Sequence, residues 1–361
     1  MRSIYSDWGY RLHDCLDSIP RREGMVAWLF AVLAAVLCSA YANGVQAASA
    51  GRTVVIAHAA MNARVAPLWV ARDRGFFAKY GVNADTIFVR GAPTLVAAMQ
   101  SNEIDVGYTG GTAVVGAVAN GADLKVLSAF TNRVTYDLMV KPGIKRPEDL
   151  RGKIFGIQSI GGTVWMGAIL ALEHLKLDAE RDKINIIAVG DQNVLAQALE
   201  AGTIDATVLD GVQSRRLSAL GFSTLADLNK ANLPILSSGF VMREPSIQKN
   251  PQMAENLMKA VIEGAAFSLS LSQKPNTLKI LQKYLRVSEK DAEEGYRDLV
   301  LGTDKKPYAA PAGVTNVVRL MKRTNPKVEK VKPELLIDDR ILKKIDQSGF
   351  IDEVYAKYGV K

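Results

Sequence analysis

The chain repeats itself at a spacing of one hundred residues, and that repeat limits the folds open to it. "LVAAMQSNEIDVG" begins at Leu95 and "LAQALEAGTIDAT" at Leu195, so Leu95, Ala98, Ile104 and Asp105 recur as Leu195, Ala198, Ile204 and Asp205. In each copy, apolar residues three and four apart predict a helix. A turn follows (Ser101-Asn102, Ala201-Gly202), and an Ile-Asp pair leads into a strand.

The surroundings of the two copies extend the likeness. Short β-branched runs at residues 54–56 and 86–89 alternate with helical patterns at 67–79 and 94–101. A second series follows at 153–157, 164–176, 184–189, 194–201 and 206–209. Such alternation predicts βαβ units on mainly parallel sheets, here as two related α/β lobes. Residues 128–140 and 236–243 are extended and apolar, and are expected to join the lobes as a two-strand hinge. The expected division is residues 51–140 for the first part of lobe 1, 141–237 for lobe 2, and 238–361 for the return to lobe 1. That return carries helical patterns at 251–271, 275–285 and 288–300, started by Pro275 and Ser288, and an apolar periodicity at 333–361.

Residues 1–50 read as an export signal: Arg21 and Arg22, an apolar run at 25–38, and Val45-Gln46-Ala47 as a cleavage sequence. A retained membrane anchor is the competing reading of the same run, extended to Ala42. Both cysteines, Cys15 and Cys38, fall inside this leader. A mature chain cut after it would have no thiol, which excludes cysteine nucleophiles, thiolate metal sites and iron-sulfur clusters. The net charge is +8, and four arginines and four acidic residues cancel within the leader. The basic residues are scattered rather than interleaved with aromatics, so nucleic acid is not an expected partner.

In open parallel sheets ligands sit beyond the carboxyl ends of the strands, which directs attention to the loops at 58–64, 108–113, 159–165 and 210–213. "YTGGTA" places Gly110, Gly111 and Thr112 at a helix start after Tyr108, and "SIGGTVW" does the same with Ser159, Gly161, Gly162 and Thr163. A helix N-terminus exposes backbone N–H groups and partial positive charge, so either loop can hold an oxyanion, or simply cap its own helix. The two loops read as matching points of the two lobes, which favours a site. No GxxxxGK[ST] occurs, which excludes a nucleotide triphosphatase, and no GxSxG or HExxH supports a hydrolase or zinc enzyme. His58 is the one histidine at a strand end facing the cleft, and it can contact a ligand or stand as an ordinary packed or solvated histidine. Asp210 can accept from a ligand amine or cap the next helix, and Trp165 can wall a pocket or pack in the core.

The stretches "PLWVARDRGFFAKYGVN", "LVAAMQSNEIDVGYTGGTAVVGAVANGADLKVL", "PEDLRGKIFGIQSIGGTVWMGAILALE" and "ALEAGTIDATVLD" carry a resemblance. Over about residues 53–240 the chain resembles the periplasmic substrate-binding proteins of ABC importers for aliphatic sulfonates, taurine, nitrate and related compounds. The resemblance implies a two-lobed type II periplasmic-binding-protein fold and a monomer in the periplasm. It also implies delivery of a small-molecule ligand to an inner-membrane permease, with no catalysis and no cofactor. Carried over by motif, the binding loops fall at Asn62, at residues 110–112 and 159–163, and at Asp210. The chain departs from sulfonate binders at its Ile-Gly-Gly-Thr loop and at Leu209, where they carry tryptophan. The expected ligand is a small organic anion held by helix N-termini rather than by an arginine clamp. The alternatives are a thiamine-pyrimidine-type heterocycle, or an enzyme of the same fold using His58 and Asp210. Cysteine-dependent relatives do not fit a mature chain without cysteine.

Overall fold

A computed structural model describes residues 52–322 and 325–361. The expected signal at 1–50, with Cys15 and Cys38, lies outside the described residues. Ten strands are described: β1 (Val54–His58), β2 (Ala84–Phe88), β3 (Val106–Thr109), β4 (Leu124–Arg133), β5 (Asp137–Val140), β6 (Ile154–Ile157), β7 (Asn185–Ala188), β8 (Ala206–Leu209), β9 (Ser223–Asp227) and β10 (Pro234–Arg243). They form two five-stranded sheets, ordered β2-β1-β3-β10-β4 and β7-β6-β8-β5-β9. In each, three parallel strands are followed by an antiparallel one: β10 against β3 and β4, β5 against β8 and β9. The two lobes therefore share one strand order, as the repeat predicts.

The repeated Ile-Asp pair has a definite task. Asp105 Oδ2 accepts from the Val55 N–H at 2.9 Å, and Asp205 Oδ2 accepts from the Ile154 N–H at 2.8 Å. Each aspartate N–H donates back, to Val55 O at 3.1 Å and to Ile154 O at 2.9 Å. The pair thus locks the register of β3 on β1 and of β8 on β6. The turn before it needs a left-handed residue, supplied by Asn102 at φ 67° and Gly202 at φ 73°.

The connections between lobes are shorter than the apolar runs suggest. Residues 128–140 are not one strand: β4 stays in the first sheet and β5 pairs in the second, leaving residues 134–136 to cross. All of β10 lies in the first sheet, so the return crossing precedes Pro234. Unbroken hydrophobicity marks burial and leaves unmarked the point where a strand changes its partner. The two crossings bond to each other through Val134 N–H to Leu233 O at 2.9 Å.

The helical return packs as expected, with Pro251–Leu269, Lys274–Leu285 and Glu289–Gly302, the last capped by Ser288. Pro251–Leu269 lies against Ala66–Asp73 so closely that a Cβ at Gly264 would stand 2.1 Å from Pro67 O. On the same helix, Glu263 is fully buried and binds two copies of one pentapeptide, AKYGV at residues 78–82 and 356–360. Lys79 and Tyr80 donate to Oε2, the tyrosine at 2.6 Å, and Lys357 and Tyr358 donate to Oε1, both at 2.9 Å. Burial alone would raise the Glu263 pKa, but the four donors hold it down at about 2. A depressed carboxylate contributes stability that is full above its unfolded pKa of about 4.3 and is lost as pH falls towards 2. Glu263→Gln is expected to cost about 2 kcal/mol at pH 7, and chemical denaturation should show the difference shrinking between pH 5 and pH 2.

Candidate functional site

Between the lobes, at the carboxyl ends of β1, β3 and β6, lies a cavity of about 30 Å³. A second cavity of about 280 Å³ shares Met61, Asn62, Asp191 and Gln192 with it and extends to Asp210, Phe88 and Tyr284. Asn62, Tyr108, Gly110, Ser159, Gly162 and Thr163 line the smaller cavity, and Asp210 lines the larger.

The two Gly-Thr loops meet in space. A Cβ built on Gly110 would lie 1.9 Å from Thr163 Oγ1, so the strand-end glycine of one lobe receives the first helical residue of the other. They are nevertheless not equivalent positions, contrary to the expectation from sequence. At the offset of one hundred, Gly110 matches Asp210: Gly110 caps Gly111–Ala119 and Asp210 caps Gly211–Ala219. The loop after β6 corresponds instead to the loop after β1. Shared local chemistry, two glycines and a threonine before an apolar helix, had suggested a pairing that the topology does not have.

Other expected residues stand apart from the cavities. His58 is buried and both ring nitrogens are engaged: Nδ1 donates to Ala60 O at 2.8 Å and Nε2 accepts from Trp69 Nε1–H at 3.3 Å. Burial chiefly lowers its pKa to about 4, so the ring is neutral. Trp165 lines a separate surface cavity with Ile169, Leu172 and Leu320. Thr163 and Val164 take the cleft-facing positions, and the next residue of a helix lies about 100° further round. Gly111 packs beneath Leu236, Thr112 is fully buried, and Gly161, at φ 76°, turns the loop.

The most consequential residue was not singled out from sequence. Arg64 is 3% exposed, and its guanidinium lies 4.9 Å from the Tyr136 ring centroid. Among the described residues no carboxylate comes within ion-pair distance of it, although it lines the smaller cavity. Two expected residues position it: Asn62 Oδ1 accepts from its N–H at 3.2 Å, and Tyr108 donates its hydroxyl to the Arg64 carbonyl at 3.1 Å. A buried arginine therefore lines the cavity where helix N-termini alone were expected. Gln192, also unforeseen, is 5% exposed, and its Oε1 accepts from the Asp210 N–H at 2.9 Å. Among the described residues, neither Gln192 Nε2 nor Ser159 Oγ, both buried, has a hydrogen-bond partner.

Burial pushes the Asp210 carboxyl up to about 6, against the opposing pull of Arg64, and Asp298 adds to the rise. The smaller cavity is lined by the donors Arg64, Ser159, Thr163 and Gln192 and by the Asp191 carboxylate, which already accepts from the Asn193 and Val194 N–H groups and pairs with Arg90, while the titrating Asp210 carboxyl lies in the neighbouring compartment. Such a set can hold an acceptor-rich group. The lobes are also tied directly across the cleft: Gln158 Nε2 donates to Ala59 O at 3.1 Å, Arg90 pairs with Asp191 at 3.2 Å, and Arg319 makes two contacts with Glu173 at 3.0 and 2.9 Å.

A Brucella abortus protein that carries only a provisional binding-protein name is 24% identical over 234 residues, 62% of this chain and 69% of its own length. The periplasmic aliphatic sulphonate binding protein SsuA of Escherichia coli is similar in structure, with a TM-score of 0.65 at 19% identity over 80% of this chain and 92% of that one. The periplasmic nitrate-binding protein NrtA of Synechocystis PCC 6803 gives 0.66 at 14%, over 82% and 88%. The desulfurization enzyme DszB has the fold too, at 0.56 and 14%, over 82% and 100%. These likenesses establish the two-lobed periplasmic-binding-protein fold. The sequence pattern described as NMT1/THI5 like matches residues 62–274, well over half of the chain, and the protein belongs to the NMT1/THI5-like family.

Proposed function

We propose that the protein is an exported solute-binding protein that captures a small organic anion between its lobes and delivers it to the permease of an ABC importer, without catalysis. One observation carries this reading: Arg64 is a buried cation at the cavity wall that has no carboxylate within ion-pair distance among the described residues, and it shares that wall with Gln192 Nε2 and Ser159 Oγ, which have no partner among them either. Removing a charge from water costs several kcal/mol unless a counter-charge compensates, so the site is built to be completed by an anion. The helices that begin at Gly111 and Thr163 add their positive ends. The fold shared with the sulphonate and nitrate binders supports the transport role, and the pattern of residues 1–50 supports export.

The enzyme reading through His58 and Asp210 loses its base, because the free lone pair of His58 is taken by Trp69. A neutral heterocycle would leave the Arg64 charge unbalanced. The test is a thermal-shift panel of sulfonates, carboxylates, nitrate and pyrimidines on refolded, ligand-stripped protein. A ligand at one hundred times its Kd adds about 2.7 kcal/mol to stability, so an upward shift with an anion is expected. A shift with pyrimidines alone, or with no anion, would overturn the reading.

A further inference from the structure

We propose that the site selects organic anions with an aromatic or branched apolar body over inorganic oxyanions, and that Gln192 is the specificity-determining donor where head and body meet. This rests on the anion-binding reading above.

The two compartments differ in size and in lining. The smaller, about 30 Å³, faces Arg64, Ser159 and Thr163, and offers room for roughly two waters. That suits a charged head group. The larger, about 280 Å³, is well above the roughly 150 Å³ that holds a benzene in an engineered cavity. A nitrate or a methanesulfonate would leave it empty. Its walls carry the carboxylates Asp191 and Asp210 on one side and, on the other, Phe88 and Tyr284, two rings held in place from behind. Tyr284 stacks on Trp69 with centroids 4.7 Å apart and planes 3° from parallel, and donates its hydroxyl to Asp73 at 2.8 Å. Phe88 packs on His58 with centroids 5.5 Å apart and is 37% exposed. A rigid, exposed aromatic shelf beside a donor-lined niche fits a flat or branched apolar body joined to an anionic head.

Gln192 stands on the wall common to both compartments. The Asp210 N–H can only donate, so it fixes the Gln192 amide with Oε1 towards Asp210, which leaves Nε2 as the free end of a residue that lines both cavities. The buried, unpartnered Nε2 therefore offers its hydrogens to an acceptor at the junction of head and body.

The experiment is calorimetric titration of the ligand-stripped full chain with benzenesulfonate, benzoate, methanesulfonate and nitrate. Benzenesulfonate or benzoate is expected to bind at least tenfold tighter than methanesulfonate or nitrate. Gln192→Glu keeps the acceptor for Asp210 and replaces the donor with a second acceptor, so it should fold normally and weaken the aromatic anions at least tenfold. Val212→Phe, which fills the larger cavity, should weaken the aromatic anions and spare methanesulfonate. Equal or tighter binding of nitrate or methanesulfonate overturns the selectivity while leaving the anion reading intact. Failure of every anion overturns both. Unchanged aromatic binding by a folded Gln192→Glu variant removes Gln192 from its role.

Discussion

Replacing Arg64 with methionine lowers affinity for the bound anion by about a hundredfold or more and, at pH 5 where Asp210 is protonated, leaves the ligand-free protein as stable as before, or more so. Charge-assisted hydrogen bonds contribute about 1.5–3 kcal/mol each, and two of them from one guanidinium correspond to two or more decades in Kd. The side chain lies over Tyr136 and is buried without a carboxylate, so methionine keeps the packing and removes a desolvated charge, an exchange that is often neutral or stabilising. Titration calorimetry and thermal unfolding on the same preparation separate the two effects. A large loss of stability with unchanged affinity would make Arg64 a structural residue. The wild-type protein should also bind its anion more tightly at pH 5 than at pH 8. Asp210, with its pKa raised to about 6, carries a negative charge at the upper pH and loses it at the lower. In Arg64→Met the nearby cation is gone, the Asp210 pKa rises further, and the pH dependence moves upward with it.

Arg64 shows where reading the sequence stopped. In "MNARVAP" an arginine between short loop residues looks like any solvated charge, and nothing local announces that Tyr108 and Asn62 will seat it against Tyr136. Burial of a charge is a property of the assembled lobes. Gln192 was hidden for the same reason, since its importance depends on the Asp210 N–H, eighteen residues away in sequence. The strand order was legible because Asp105 and Asp205 perform the same backbone task in both halves, and that task fixes their spacing. The offset of one hundred also held the correct partner of Gly110. Followed three residues past the last strand position compared, it leads from Gly110 to Asp210, where a glycine in one lobe is replaced by a buried carboxylate in the other. The similar wording of the two Gly-Thr loops outweighed that signal. His58 and Trp165 were placed near the cleft by chain position alone, whereas side-chain direction decides.

Gly110→Ala is expected to weaken ligand binding by about two orders of magnitude without unfolding the protein. Gly110 sits at φ −78° and ψ 150°, a conformation any residue adopts, so alanine brings no backbone strain. What it brings is a methyl group 1.9 Å from Thr163 Oγ1 and 3.2 Å from Ser237 O, at the place where the lobes touch. The cheapest relief is for the lobes to stay apart, and the apparent Kd rises by the inverse of the fraction still able to close. A closed population of about 1% gives the hundredfold loss. Thr163→Ala by itself should cost far less, because it removes only one hydroxyl. In the double variant the obstructing Oγ1 is gone and the methyl faces Thr163 Cβ at 3.2 Å, a gap that a few tenths of an ångström of movement relieves. Affinity should therefore recover most of the way, a non-additivity reserved for residues in contact. Solution scattering provides the independent check: ligand should compact the wild type and the double variant but not Gly110→Ala. If Gly110→Ala binds and compacts like wild type, the lobes do not close through this contact. If the double variant is as weak as the single one, the loss comes from the glycine's own approach to the ligand and not from the opposing jaw.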